Sequence, residues 1–522
     1  MSSRAVITFI VAFAPLLSAC NASGDAASAI DGAMEQRDMS SSTSSRSLVF
    51  SVQPTTTKSG GIVAPPITVS VVDGDGKVVT SATDTITIAV GNNPSAATLA
   101  GTLSRAAVLG VATFGDLALD KGGLAYTLVA SAPGASLATS APFDASRVLS
   151  FATPTMLATN ANVVSQAFTT GKFHAAGYDD FAATQGGADN VIVYLSSGTG
   201  AFNAGTTFAT GTNPSAIAAA DIDGDGKIDL VVQCAKEVDV LRGDGAGNFT
   251  STPFTTGNAS SNLAGIAVGA FNKSGKVDVV VADTFDNSIY LYSNTSTSGT
   301  PTLTATHVVG PAALGFTKGI SAGDFNADGA LDVAFGNFTS TGTVIVWLNA
   351  NTGAAATSFA IGGASPLTML GNNAALQTIT AADFNGDGRA DVFAPDDTPK
   401  SAGGIQNQGN VFLSKSSGFA APTETNVGDD PFSVGHADFD QDGFVDVALA
   451  STFGLVFSAT SPSDLEILLG KGDGTFQAAK PFATQAADNS ARALAIGDFN
   501  GDGLPDAIIG SNPAWVFLNN SK

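Results

Sequence analysis

The chain has 522 residues, 44% of them hydrophobic and only 13% charged, a folded composition long enough for more than one buried core. Its formal net charge of −23 argues against nucleic acid or an anionic membrane surface as a partner. With 59 glycines, and aromatics that are mostly phenylalanine (33 Phe against 5 Tyr and 2 Trp), short strands and tight turns are favoured over long helices, so an all-β protein is expected.

Residues 1–19 read as an export signal: Arg4, an apolar run from Ala5 to Leu17, then small residues before Cys20. A spanning helix needs about 20 apolar residues. The run is shorter, so cleavage is expected. Leu17-Ser18-Ala19-Cys20 resembles the bacterial lipobox. That resemblance implies lipidation of Cys20 and membrane attachment through this anchor alone, and Asn21 after it implies placement at the outer membrane or cell surface. Residues 20–46 are rich in Ser, Ala and Gly without apolar periodicity, the composition of a flexible tether. With Cys20 acylated, Cys234 is left without a disulfide partner and reads as a small core residue.

Period-two runs begin at Leu48 and continue at Ile67–Val72, Thr85–Val90, Gly110–Phe114 and Tyr126–Ala130. Split by Gly, Asn and Pro clusters, they predict a β-sandwich over 47–146. Val49-Phe-Ser-Val-Gln-Pro54, Val71-Val-Asp-Gly-Asp-Gly-Lys-Val-Val79 and Gly110-Val-Ala-Thr-Phe-Gly-Asp-Leu117 resemble bacterial immunoglobulin-like modules. Asp73-Gly-Asp-Gly76 itself reads as a hairpin turn, because Val71 and Val79 stand where flanking carboxylates would be needed for a metal loop.

The remaining residues, 147–522, are repetitive. Seven copies of one nine-residue pattern begin at 172, 221, 270, 324, 383, 438 and 498, the spacing of a repeat architecture. Five are intact, with carboxylates or amides at positions 1, 3 and 5, glycine at 6 and aspartate at 9. They are Asp221, Asp223, Asp225 and Asp229; Asp324, Asn326, Asp328 and Asp332; Asp383, Asn385, Asp387 and Asp391; Asp438, Asp440, Asp442 and Asp446; Asp498, Asn500, Asp502 and Asp506. Alternate residues of a tight loop point inward together, and calcium takes six to eight hard oxygens. Glycine at position 6 permits the reversal. Two like charges at 4 Å repel by about 4 kcal/mol at an effective dielectric of 20, so a compensating cation is expected. The carbonyls of Lys227, Ala330, Arg389, Phe444 and Leu504 are expected to complete five structural calcium sites.

An EF-hand is excluded by Val232, Phe335, Ala394, Leu449 and Ile509, which occupy the twelfth positions where it needs Glu. In the other two copies Lys172, His174 and Ala176, and Ala270 and Lys273, replace the ligands; Lys172 is the candidate for a built-in cation.

Asp383-Phe-Asn-Gly-Asp-Gly-Arg-Ala-Asp391, Asp438-Phe-Asp-Gln-Asp-Gly-Phe-Val-Asp446 and Asp498-Phe-Asn-Gly-Asp-Gly-Leu-Pro-Asp506 resemble the FG-GAP/VCBS repeats of integrin α-subunit heads and bacterial surface proteins. The resemblance implies one four-stranded propeller blade per repeat, with calcium between its first two strands. Seven starts then mean a seven-bladed β-propeller. The last repeat ends after a third strand, so residues around 148–156 are expected to complete it. Function on this reading is binding of a protein or glycan ligand at the cell envelope. The alternative is a polysaccharide-processing enzyme or a periplasmic scaffold, although no nucleophile–base pair or paired catalytic carboxylates stand out.

Overall fold

A computed structural model describes residues 46–522 apart from 95, 158–164, 273, 310–315, 339–341, 350–358, 362–366, 371–375, 377, 397–407, 455–463, 485–491, 511–512 and 522. The expected signal, Cys20 and the tether up to residue 45 lie outside the described residues, as does Lys273. The regular structure described is all strand save one short 3-10 turn, Gly186–Ala188. Among the described residues no helix is long and apolar enough to cross a membrane.

Strict alternation builds the first part. In Arg46–Val52, Leu48 and Phe50 are buried while Val49 and Ser51 face solvent, and Thr85–Val90 buries Ile86 and Ile88 in the same way. One sheet runs in the order Ala135–Ser136, Arg46–Val52, Ile67–Val72, Val111–Phe114. A second runs Ala138–Thr139, Leu128–Ser131, Thr85–Val90, Ser104–Ala106. Their inward residues, among them Phe50, Val69, Phe114, Ile86, Ile88 and Leu128, share one core.

The expected strand Tyr126–Ala130 is split. Gly123–Tyr126 pairs with Phe143–Ser146, whereas Leu128–Ser131 joins the second sheet. The break falls at Thr127, between the two strands, and Ala125, inside the first of them, stands at φ 57. Asp73-Gly-Asp-Gly76 is a turn: Asp73 Oδ1 accepts the amides of Asp75 and Lys77.

Seven antiparallel sheets follow, each carrying one copy of the repeat. Their second strands, such as Asp229–Gln233, Asp278–Asp283 and Asp391–Pro395, are buried at every position. Continuous apolar runs of this length belong to strands covered on both faces. The first strands are Ser165–Gly171, Ala216–Ala220, Leu263–Gly269, Phe316–Gly323, Thr380–Ala382, Asp429–Ala437 and Ala493–Gly497. Each contacts the next, and Ala493–Gly497 contacts Ser165–Gly171. The last sheet takes its outer strand from the start of the repeat region, slightly beyond the expected segment: Thr155–Leu157 pairs with Ala514–Phe517, and Phe151 bridges Asn519.

Candidate metal loops

Each intact loop joins the first strand of its sheet to the second, and its own carboxylates hold it in shape. Asp221 accepts the amides of Gly224 (2.7 Å) and Gly226 (2.9 Å), Asp223 that of Asp225 (3.0 Å), and Asp225 that of Lys227 (2.9 Å). Asp383, Asn385 and Asp387 repeat these bonds, as do Asp498, Asn500 and Asp502. Asp324, Asn326 and Asp328 keep all but the first of them, and Asp438 and Asp442 hold Gly443 and Phe444 alike. The position-6 glycines lie at φ between 80 and 91. Position 4 is also left-handed, at Gly224, Ala327, Gly386, Gln441 and Gly501, a demand the sequence reading did not anticipate because Ala and Gln fill two of these places.

Oxygens of Asp221, Asp223 and Asp225 converge to within 4.8 Å of one another, and those of Asp438, Asp440 and Asp442 do likewise. In the other three loops an asparagine at position 3 replaces one carboxylate. Asp440 is 2% exposed and its Oδ1 is buried without a hydrogen-bond partner. Burial, with Asp442 and Asp438 adding to it, pushes the Asp440 carboxyl up to about 7. An all-oxygen donor set of this kind fits a hard divalent cation.

The ninth aspartate is placed differently from the other candidate ligands. In each intact loop one oxygen accepts the position-2 amide, from Ile222, Phe325, Phe384, Phe439 or Phe499, at 2.7–3.1 Å. The other accepts the amide at the end of the third strand, from Gly243, Asn349, Ser414, Gly470 or Asn519, at 2.7–2.8 Å. All five are fully buried, and burial lifts Asp446 to about 8 and Asp332 and Asp506 to about 7. The two eroded copies keep this clamp. Asp180 accepts from Phe173 and Ser196, and Asp278 from Asn272 and Asn294. Position 9 thus ties three strands together whether or not positions 1, 3 and 5 carry acids. In the first copy the side chain that meets this carboxylate is His174, with Nδ1 2.7 Å from Asp180 Oδ2.

Position 2 links neighbouring sheets. Its carbonyl accepts a donor from the following sheet: Gly247 N to Phe173, Asn294 Nδ2 to Ile222, Asn349 Nδ2 to Phe271, Gly474 N to Phe384, Asn519 Nδ2 to Phe439 and Ser196 Oγ to Phe499. Aromatic rings pack across the same seams, Phe249 on Phe173, Phe476 on Phe384 and Phe202 on Phe499, with centroids 5.4–5.6 Å apart. The last pair joins the first sheet to the seventh.

Other conspicuous residues are engaged structurally. Arg242 of Arg242-Gly243-Asp244 bonds Gly299 O and lies 3.7 Å from Asp223, Gly243 serves the Asp229 clamp, and Asp244 accepts amides of its own turn. Trp347 and Trp515 are buried, and burial raises the pKa of Cys234 well above the usual thiol range. His307 reaches Asp286 and Ser288 through the same ring nitrogen, so it does not bridge them as a catalytic relay, and His436 bonds Thr380 Oγ1.

The model of FG-GAP-like repeats matches residues 175–232, 223–281, 271–335, 324–394 and 455–509, more than half of the chain. The chain belongs to the FG-GAP-like repeat family. In this FG-GAP-like repeat protein the loop Asp438 to Asp446 falls between the last two matched segments. No curated protein matches the chain. Among solved structures, the crystal structure of BBS1N in complex with ARL6DN, soaked with lead, is similar at 10% identity and TM-score 0.43, covering 70% of this chain and 98% of that one. A lectin of Agrocybe aegerita, described for recognition of non-reducing terminal N-acetylglucosamine, is similar at 16% identity and TM-score 0.42, covering 75% of this chain and 96% of that one.

Proposed function

We propose that the seven sheets form a closed seven-bladed β-propeller, preceded by an immunoglobulin-like sandwich, and that five structural calcium ions stiffen it. The observation that carries this reading is the recurrence of one oxygen-lined loop at the same place in five sheets, beside two sheets that keep the ninth-position clamp and have lost the other acids. Asp, Asn and the position-7 carbonyls hold the ion; the ion offsets the clustered negative charge and gives the loop a rigid floor. The protein works as a binding module of the cell envelope, anchored through Cys20 and presenting the propeller to a protein or glycan ligand. A surface stiffened before the partner arrives loses less entropy on binding.

Two measurements test the reading. Metal analysis of the purified full chain is expected to find about five calcium ions, and chelation to lower its melting temperature by several degrees. A melt indifferent to both calcium and chelator removes the metal assignment. Protease treatment of intact cells is expected to digest the propeller without lysis. Protection until the outer membrane is opened turns the reading to a periplasmic scaffold.

A further inference from the structure

The loop Asp438 to Asp446 is set apart from the other four by what lies over it. Position 4 is exposed at Gly224, Ala327, Gly386 and Gly501, but Gln441 is half-buried. The cover comes from the sandwich. A cleft of 740 Å³ has Asn93, Lys121 and Arg147 on one side and Asp438, Gln441 and Asp502 on the other. At its edge a Cβ on Gly122 would meet Arg147 Cγ at 2.8 Å, Ala145 O at 3.0 Å and, from the loop, Asp440 O at 3.3 Å. Asp144 and Arg147 both act electrostatically on the loop, on Asp442 and Asp438 respectively.

The linker leaving the sandwich is bonded to the chain end that borders the same loop. Arg147 Nη1 reaches Ser521 O at 3.4 Å, Ser150 N donates to Ser521 Oγ at 3.1 Å, and Ala152 N to Leu518 O at 2.8 Å. Asn519, between these residues, donates to Phe439 O within the loop and accepts Ser521 N. Loop, chain end, linker and sandwich are therefore one bonded patch, and the buried, unpartnered Asp440 Oδ1 lies within it.

We propose, resting on the metal reading above, that the cation held by Asp438, Asp440 and Asp442 is a junction ion whose presence seats the sandwich on the propeller. With the ion, two of the three carboxylate charges are offset and the seam at Gly122 closes over the loop. Without it, their mutual repulsion is strongest at the buried Asp440, and relieving it there means moving the chain at Gly122 away from the loop. The coupling is reciprocal, so a displaced sandwich weakens the ion.

The test uses the full chain, hydrogen exchange with and without calcium, and a count of bound metal. Chelation is expected to raise exchange at least tenfold in residues 121–125 and 146–150. Asp225→Ala, which disables the loop of the second of the seven repeat sheets, is expected to lose one ion without that change. Gly122→Leu leaves every ligand in place and presses on Arg147, Ala145 and Asp440 O together, displacing the linker and the seam; in calcium it is expected to hold one ion roughly tenfold more weakly. If no calcium is bound at all, the metal reading fails and the junction with it. Calcium that binds and is removed while exchange at 121–125 stays constant overturns the junction alone. Where chelation loosens the whole chain, Gly122→Leu decides: ions held as tightly as in the unaltered protein overturn the coupling.

Discussion

A buried carboxylate does different work depending on what faces it. Asp278 belongs to a copy without the other acids, yet it accepts Asn272 N, Asn272 Nδ2 and Asn294 N at 2.8–3.0 Å. Leaving a buried donor unpaired costs about 1–3 kcal/mol, so Asp278→Ala is expected to lose at least about 3 kcal/mol of stability. The loss should be equal in calcium and in chelator, by urea unfolding. Asp328→Ala, on an exposed loop position, is expected to do the reverse and lower the melt in calcium only.

Glu466 provides a pH prediction. It is fully buried on the strand Asp464–Leu468, accepts Gly428 N at 2.7 Å, and burial pushes its carboxyl up to about 7. From about 4.5 to about 7 the folded chain keeps a proton that the unfolded chain has released. Stability contributed here is therefore present at low pH and lost as pH rises through that window. Glu466→Gln is expected to leave pH 4 stability unchanged and to gain on the order of 3 kcal/mol at pH 8, read as the difference between the two chains' urea midpoints.

For the elements, the repeat loops were legible because all their demands lie within nine residues: inward oxygens at alternate positions, a glycine for the reversal, an apolar strand behind. Position 4 was not, since its left-handed φ is set by the amides that converge on the first carboxylate. Ala327 takes φ 59 there, where glycine rests without strain. Ala327→Gly is expected to raise the urea midpoint by an amount worth about 0.5–1 kcal/mol, even though glycine loses more entropy on folding. No gain would mean that the loop relaxes around alanine. The left-handed Ala125, inside the strand Gly123–Tyr126, was illegible for the same reason, because a backbone sign change leaves no trace in an alternation of apolar and polar residues.

For the whole molecule, the seventh sheet is completed by residues far away in sequence. Thr155–Leu157 covers the edge of Ala514–Phe517, a strand otherwise open to pairing with another chain. A chain beginning at residue 165 is expected to associate at micromolar concentration in light scattering, while the full chain does not. Monomeric behaviour of the shortened chain would show that this edge is guarded in another way. The cross-sheet bonds to position-2 carbonyls act at the same scale, six sheets holding the loop of the one before them in this way among the described residues.

The sequence by itself determined the all-β class, the repeat and its period, the oxygen-bearing loops and the alternation of apolar and polar residues over 47–146. Those features depend on neighbours a few positions apart. Only the tertiary structure decided that the ninth aspartate clamps backbone, that His174 meets Asp180, that Arg242 is tied to Gly299 and Asp223, and that Gly122 comes close to Asp440 O. For the aspartate clamps and for His174, the decisive contact is a geometry that spacing does not encode. For Arg242 and Gly122, the partner arrives from 57 residues away or from another sheet altogether, and chain closure rather than local pattern brings it there.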